Sequence, residues 1–471
     1  MSKPVLMKKI LLIAYHFPPS TEVGGVRLAN FATQLPRSGW RVWVLTVKDK
    51  YLAESDYERL KPLGELEINK AGRLPTLCDA YLWLKKIARR TLDRPVTQEC
   101  TPSARANPKG RGGESMRAKL RRYVLSFLSL PDSQRNWVWP AVFKAVSIIK
   151  RNRIDVILTS CPPYSAHLIG LMAKWLTNVQ WVVDFRDPWM ATPAKSLYAT
   201  CAASLAVERW LEKKVIRNAD LVVSNTDKLT NYFMATYRGI GLSSAVTVTN
   251  GYDGEMAACF EEDVKDSIFT ITYAGTLYFG RTPEPIFQAV RDLVETGSIP
   301  RHAIRIKLVG QCGTIDGVPT EKVADRYGLG EILELRGSVS RLDALRLIKR
   351  SHLALLLAPN QPFQIPAKLY EYMGAHIVVL ALAEAGATQD LVERTRAGRA
   401  FRPSDVAGVK DFILESYGVF VTQGDVPFVG DVEAFESNRI TRSLAEYLDR
   451  ICAIPSRKQW VANDHPGRTA S

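Results

Sequence analysis

The sequence predicts an α/β protein with two doubly wound domains, each a parallel sheet between layers of helices. Two observations lead to this prediction. The chain has 471 residues, which is too long for one hydrophobic core, because cores stop growing at about 250–300 residues. Short apolar runs also alternate with helical patterns along most of the chain, and this alternation is typical of parallel sheets covered on both faces.

The N-terminal domain is predicted to span residues 1–250. An apolar run at 8–15 is followed by a loop and by a helical pattern from Val26 to Leu35. Further strands are predicted at 40–46, 154–160, 180–185 and 221–225.

The alternation of strands and helices restarts after residue 253, so a second domain is predicted over residues 251–453, with a hinge near 250–268. A final helix is expected at about 432–452, followed by a polar tail at 454–471 that we expect to be flexible. The strands of this domain are predicted at 269–275, 305–310, 332–337, 352–358 and 376–382.

A basic insert at about 50–130 interrupts the N-terminal domain, and residues 50–115 show no strand–helix rhythm. Between residues 80 and 122 there are twelve Lys and Arg against three Asp and Glu, which supplies +9 of the net charge of +15. A stripe of apolar residues at helical spacing, beside a basic face, predicts a helix that lies in an anionic membrane interface. Packing on the N-terminal domain would explain the same stripe, which consists of Met116, Leu120, Val124, Phe127 and Leu128.

The overall charge indicates an anionic partner, which is nucleic acid, an acidic membrane surface or a phosphate-bearing substrate. The seven cysteines form no CxxC pair and no zinc spacing, which is typical of reduced thiols in a cytosol. No apolar run has the length of a membrane span, and the apolar run near the N-terminus is interpreted as a first strand rather than a signal peptide.

One stretch, QIPAKLYEYMGA at residues 364–375, places Lys368 in the first turn of a predicted helix and Glu371 three residues later. Pro366 suits the start of that helix. A cation is unfavourable at a helix N-terminus, but free N–H groups and a lysine together suit a phosphate. A carboxylate one turn later suits a ribose diol. A surface ion pair between Lys368 and Glu371 would explain the same spacing.

Two further stretches lie after predicted strands, where ligands bind in open parallel sheets. Gly24 and Gly25 follow the first strand, and glycines let the backbone approach a ligand closely, although a tight turn would also need them. In the stretch VVDFRDPW, a buried strand ends with the charged residues Asp184, Arg186 and Asp187. A turn fixed by Asp-Pro explains these charges equally well. Two aspartates without a nearby histidine do not form a metal ligand set.

These stretches together resemble the retaining family 4 glycosyltransferases of the GT-B fold, in which two Rossmann-like domains face a cleft. The resemblance runs from about residue 8 to 452. It depends on the order and spacing of YHFPPSTEVGGVRLANFATQLPRSGWRVWVLT, PDSQRNWVWPA, VVDFRDPW, NGYD, YAGTLYFGRTPEP, LRGSV and IPAKLYEYMGA.

The resemblance implies a sugar transfer from a nucleotide-diphosphate sugar, held mainly by the C-terminal domain, to an acceptor on the N-terminal domain. Glu371 resembles the second glutamate of the family's paired-glutamate motif, which holds the donor ribose. Lys368 and Arg281 resemble cations that bind the donor phosphates, and Gly24 and Gly25 resemble the segment that closes over the cleft.

Arg186 and Asp187 lie near the position of a family catalytic histidine and are the candidate catalytic residues. The sequence departs from the family pattern at Phe363, where the first glutamate of the pair would fall, and at Thr276, where the family has an arginine. The carboxylate that usually reaches the transferred sugar is therefore missing.

The predicted function is a glycosyltransferase at the cytoplasmic face of the cell membrane, acting on a glycan or polyprenyl-linked acceptor in cell-surface polysaccharide assembly. No metal, cofactor or nucleic-acid partner is expected. The alternatives are a GT-B-fold nucleotide-sugar epimerase, a degenerate inactive GT-B protein and a basic nucleic-acid-binding protein, although the last lacks any recognisable RNA- or DNA-binding motif.

Overall fold

The fold is described from a computed structural model of the chain. The structure describes residues 7–75, 130–191, 202–242, 244–254, 264–278 and 280–453. The predicted apolar stripe from Met116 to Leu128, most of the basic insert and the predicted tail at 454–471 lie outside the described residues.

The first sheet is entirely parallel in the described part of the chain. Its strands are β1 (Lys8–Ile13), β2 (Trp40–Val47), β3 (Glu67–Ala71), β4 (Val156–Cys161), β5 (Gln180–Phe185), β6 (Leu221–Ser224) and β7 (Ala245–Thr247). Their order is β3-β2-β1-β4-β5-β6-β7. This order puts β1 inside the sheet, where Ile10 lies opposite Val42 of β2 and Val156 of β4.

Helices cover both faces of this sheet. They are α1 (Val26–Gln34), α2 (Val138–Asn152), α3 (Ser165–Thr177), α4 (Ala202–Asn218) and α5 (Asp227–Tyr237). Successive residues of a strand point to opposite faces, so Leu11 packs in the core beneath α2 and α3, while Leu12 packs with Leu28 of α1. A sheet covered on both faces needs nearly continuous apolar strands, which is the pattern that predicted them.

Strand β3 lies inside the stretch 50–115, where no strand was predicted. It pairs with β2, and Ile68 lies opposite Val44. The sequence EINKA of β3 is largely half-exposed, because this strand forms the edge of the sheet. An edge strand does not need the continuous apolar run that marks the central strands.

The second sheet is also parallel, in the order β12-β9-β8-β13-β14-β15. Its strands are β8 (Phe269–Thr276), β9 (Ile304–Gln311), β12 (Leu333–Arg336), β13 (Leu353–Ala358), β14 (Val378–Ala383) and β15 (Gly398–Phe401), with a separate hairpin of β10 (Thr314–Ile315) and β11 (Val318–Pro319). The helices of this half are α6 (Glu284–Glu295), α7 (Thr320–Arg326), α8 (Arg341–Arg350), α9 (Ala367–Gly374), α10 (Ala387–Thr395), α11 (Val406–Gln423) and α12 (Ser437–Ala453). The prediction of two parallel α/β domains is confirmed.

The last helix, α12, packs on the first domain rather than on the second. Leu444 and Leu448 share a core with Leu12 and Leu28, and Lys8 donates to the Asp449 carboxylate at 2.7 Å. Residues 437–453 belong to the predicted second domain, whereas the helix that they form packs on the first. The apolar stripe of α12 shows that the helix needs a core, but not which of the two cores receives it.

No helix among the described residues is long and apolar enough to cross a membrane.

Candidate functional site

The candidate donor site lies at the carboxyl end of β13, where a loop leads into α9. Pro366 is the N-cap residue and the helix begins at Ala367, close to the start that the sequence predicts. Lys368 is therefore in the first turn of α9, where several backbone N–H groups have no partner within the helix. The combination of free N–H groups and a lysine makes this helix end suitable for an anion.

Lys368 points back over the second sheet toward β8. A Cβ atom at Gly275 would lie 2.0 Å from Lys368 Nζ, so only glycine leaves room for the ammonium group there. Nζ also lies 5.3 Å from the centre of the Tyr273 ring. Burial, and after it the charge of nearby Arg281, lower the pKa of Lys368 to about 8, whereas Glu371 acts in the opposite direction.

Arg281 approaches the same tyrosine from the loop after β8. Its guanidinium lies 4.5 Å from the centre of the Tyr278 ring. Burial raises the pKa of Tyr273 to about 12, and the positive charge of nearby Arg281 opposes that rise. Two cations, Lys368 and Arg281, therefore converge on Tyr273, and their mutual repulsion favours a bound anion.

Glu371 does not pair with Lys368. Its Oε1 accepts from Nε of Arg341 at 2.8 Å and lies 2.8 Å from Nη2 of the same guanidinium in an ion pair. Arg341 is the first residue of α8. The Lys368–Glu371 surface pair that the spacing also allowed is thus not formed. Among the described residues, Oε2 of Glu371 has no hydrogen-bond partner, so it is available to a ligand hydroxyl.

Gly24 and Arg186 are in contact on the first domain. A Cβ at Gly24 would lie 2.2 Å from Nη1 of Arg186, so the glycine makes space for the guanidinium. Arg186 donates from Nε to the Cys161 carbonyl at 3.0 Å and from Nη2 to the Pro162 carbonyl. Gly25 is buried, and a Cβ atom built on it would lie 3.3 Å from the Cα atom of Phe17.

Asp187 and Asp184, which the sequence grouped together, have different surroundings. Asp187 accepts from Nε2 of Gln364 in the second domain at 2.5 Å. Asp184 is fully buried and accepts from Arg27 at 2.9 and 3.2 Å and from Ser160 at 2.7 Å. Arg27 also donates to the backbone carbonyls of the domain crossover at Val248 and Thr249. Asp184 is therefore a structural residue that is closed off from the site.

Among the residues that the structure describes, no group of three His, Cys, Asp or Glu side chains could hold a metal ion.

Two histidines that follow strands of the first sheet have different surroundings. His16 is near Arg186, and burial lowers its pKa. His167 lies inside the core with Nδ1 at 2.8 Å from the Thr159 hydroxyl, and burial lowers its pKa to about 3.

The sequence predicted neither Arg341 nor Gln364 as a site residue. Arg341 follows an ordinary helix cap at Ser340, and nothing local shows that it meets Glu371 thirty positions away. Gln364 was visible only as part of the loop before α9. Sequence patterns relate residues within one helix turn or one strand. The Arg341–Glu371 and Gln364–Asp187 contacts each join separate elements, so no such pattern predicts them.

The N-terminal half of the chain matches a known family model. Residues 24–251 match the model of the glycosyl transferase 4-like domain, just under half of the chain. No curated protein matches the chain in sequence at a significant level.

Several solved structures share the fold over nearly the full length. The Anabaena protein HepE, solved in complex with UDP-glucose, is 16% identical, with a TM-score of 0.56 over 94% of this chain and 99% of that chain. Sucrose-phosphate synthase from Thermosynechococcus elongatus is 13% identical, with a TM-score of 0.59 over 95% and 99%. A glycosyltransferase from Rickettsia africae is 14% identical, with a TM-score of 0.56 over 95% and 99%.

At these identities the likeness establishes the fold, which is the GT-B architecture of two α/β domains. Together, the domain match and the shared fold support a glycosyltransferase that is family 4-like over its N-terminal half.

Proposed function

We propose that this protein transfers a sugar from a nucleotide-diphosphate sugar to a polyprenyl-linked glycan, with retention of the anomeric configuration, during assembly of a cell-surface polysaccharide. The observation that carries the proposal is the convergence of Lys368 and Arg281 on Tyr273. Lys368 forms no ion pair with a carboxylate in the described part of the chain, and its pKa is lowered. A diphosphate would supply the missing negative charge.

Each side chain around the site would have a separate role in the reaction. Lys368 and Arg281 would hold the diphosphate and stabilise the charge that it gains as it leaves. Glu371 would accept from the ribose hydroxyls through Oε2, while Arg341 fixes the other oxygen at 2.8 Å. Gly24 and Gly25 would cover the cleft from the first domain, with Arg186 and Asp187 at its acceptor side.

The transfer step needs no protein nucleophile. The acceptor hydroxyl oxygen bonds to the anomeric carbon on the face that the diphosphate leaves, and the carbon–oxygen bond to the diphosphate breaks. The acceptor proton passes to an oxygen of the departing diphosphate. Because Phe363 stands where the family has its first glutamate, no carboxylate from that position takes part.

A position on the inner face of the cell membrane suits a polyprenyl-linked acceptor. The N–H of Leu74 donates to the Asn136 carbonyl at 2.9 Å, so residue 74 lies beside the start of α2. Trp139 and Phe143 are 51% and 71% exposed. They share a helix face with Lys150. Exposed aromatic rings beside basic groups suit an anionic lipid surface.

A thermal-shift screen with free UDP, GDP, ADP and TDP tests the donor class. A nucleotide present at a hundred times its Kd should add about 2.7 kcal/mol to the free energy of unfolding. The absence of a shift with all four would contradict the proposal. Because a fold does not fix a reaction, the second measurement is product analysis. Conversion of a nucleotide sugar to an epimer without acceptor would identify the epimerase instead.

A further inference from the structure

The two domains meet at a small set of contacts beside the donor helix, which we name the cross-domain contact. From the second domain it contains Phe363 and Gln364, in the loop between β13 and α9. From the first domain it contains Asp187, Thr226 and Tyr232. The Phe363 ring lies 5.3 Å from the Tyr232 ring, centre to centre, and packs against the core of the first domain.

Two hydrogen bonds fix the loop to the first domain. The Thr226 hydroxyl donates to the Phe363 carbonyl at 2.7 Å and accepts from the Leu229 N–H at 3.2 Å, so its single proton is committed to the second domain. Gln364 Nε2 donates to Oδ1 of Asp187 at 2.5 Å. A hydrogen bond to a carboxylate is stronger than one between neutral groups.

The loop is also tied to its own domain. The Ala387 N–H donates to the Pro362 carbonyl at 2.9 Å, and the Thr388 hydroxyl donates to the Gln364 carbonyl at 3.1 Å. Gln364 is two residues before the cap of α9 and four before Lys368. A loop held from both sides transmits the position of the first domain to the first turn of α9.

We propose that Asp187 and Gln364 are positioning residues, whose hydrogen bond sets α9, and with it Lys368, relative to the first domain. Donor-diphosphate binding then depends on the cross-domain contact being closed. This inference rests on the proposed function of the Lys368 site. It gives Asp187 a role through Gln364 rather than through the reacting atoms, and it gives Phe363 an interdomain role in place of the glutamate that the family pattern would have there.

The test exchanges the donor and the acceptor of the Gln364–Asp187 hydrogen bond while the side chains keep their size. In Gln364→Glu the new carboxylate meets Asp187 and repels it, so we expect nucleoside-diphosphate binding to weaken about tenfold or more. In the double variant Asp187→Asn with Gln364→Glu, the asparagine amide donates to the new carboxylate. Net charge and side-chain size match the parent, and we expect affinity to return to within about threefold.

Calorimetry with the nucleotide chosen by the thermal-shift screen gives these affinities. The matched control is Arg394→Gln, which breaks a different contact between the domains, the Arg394–Asp227 ion pair, at 3.0 Å with both side chains more than half exposed. Exposed pairs contribute little, so affinity should change by about twofold or less.

The single variant Asp187→Asn, in which the amide oxygen of the asparagine can still accept from Gln364, completes the set. All five proteins are unfolded with urea in the absence of nucleotide, which measures the contact independently of the donor site. If the double variant restores stability but Gln364→Glu leaves affinity unchanged, the contact is only structural and the inference is wrong. Failure of the double variant to recover affinity also overturns it, as does Asp187→Asn alone weakening binding as much as Gln364→Glu. If the parent binds no nucleoside diphosphate, the proposed function fails and this inference falls with it.

Discussion

Replacing Lys368 by methionine should make the ligand-free protein more stable while it weakens donor binding. Burial and the neighbouring Arg281 lower the pKa of Lys368 from 10.5 to about 8, a difference of 2.5 units obtained as 10.5 − 8. Since each unit corresponds to about 1.4 kcal/mol, the charged lysine costs the folded state on the order of 3 kcal/mol. Methionine keeps the unbranched side chain and removes the charge.

The dependence on pH follows from the same two values. At pH 7 both the folded and the unfolded chain hold the proton, so the folded state carries the whole cost. Between pH 8 and 10.5 the folded state loses the proton before the unfolded state does, so the cost disappears as the pH rises. The stability gain from Lys368→Met should therefore be largest at pH 7 and vanish above pH 10.5.

Thermal unfolding at several pH values measures this effect. A gain of about 3 kcal/mol in a domain of this size corresponds to a rise of roughly 5–10 °C in melting temperature. The matched control is Lys322→Met, an exposed lysine on α7 of the same domain, which should shift stability by about 0.5 kcal/mol or less.

Nucleotide titration supplies the second half of the test. The parent should gain stability with nucleoside diphosphate, and its affinity should fall as the pH rises through about 8, because neutral lysine binds the diphosphate less well. Lys368→Met should lose most of the nucleotide-induced shift. A variant that melts below the parent at pH 7, or that keeps the full nucleotide shift, would refute the reasoning.

Other predictions address the remaining parts of the molecule. Glu371→Gln should weaken nucleotide binding by about 1.5–3 kcal/mol in calorimetry, and unchanged affinity would limit Glu371 to its ion pair with Arg341. Sugar transfer should continue with excess chelator, because Lys368 and Arg281 supply the positive charge, and loss of turnover restored by magnesium or manganese would contradict this. His352 is buried with its pKa lowered to about 4, so stability should fall as the pH drops below 6.5, by up to about 1.4 kcal/mol per pH unit, and His352→Gln should reduce that slope in urea unfolding. The protein should sediment with anionic vesicles at low salt and be released at high salt. The double substitution Trp139→Ala with Phe143→Ala should weaken this binding. Vesicle binding that the double substitution leaves unchanged would contradict a lipid contact at these two rings.

The sequence by itself determined that the chain forms two parallel α/β domains and where most of their central strands lie. Central strands of a sheet covered on both faces must be nearly continuous apolar runs, so the positions of β4, β5 and β13 could be read locally. The start of α9 was also local, because Pro366 can only stand at or before the first turn of a helix. Lys368 and Glu371 were found as site candidates for the same reason, since one helix turn contains both.

The tertiary structure decided which groups meet. Asp184 and Asp187 are three residues apart, yet one is buried against Arg27 and the other accepts from Gln364 of the other domain. Glu371 forms its ion pair with Arg341 rather than with Lys368. The helix α12 joined the core of the first domain. A residue's type and spacing fix its backbone geometry and its need for a partner, but partners far apart in the chain are selected by how whole elements pack.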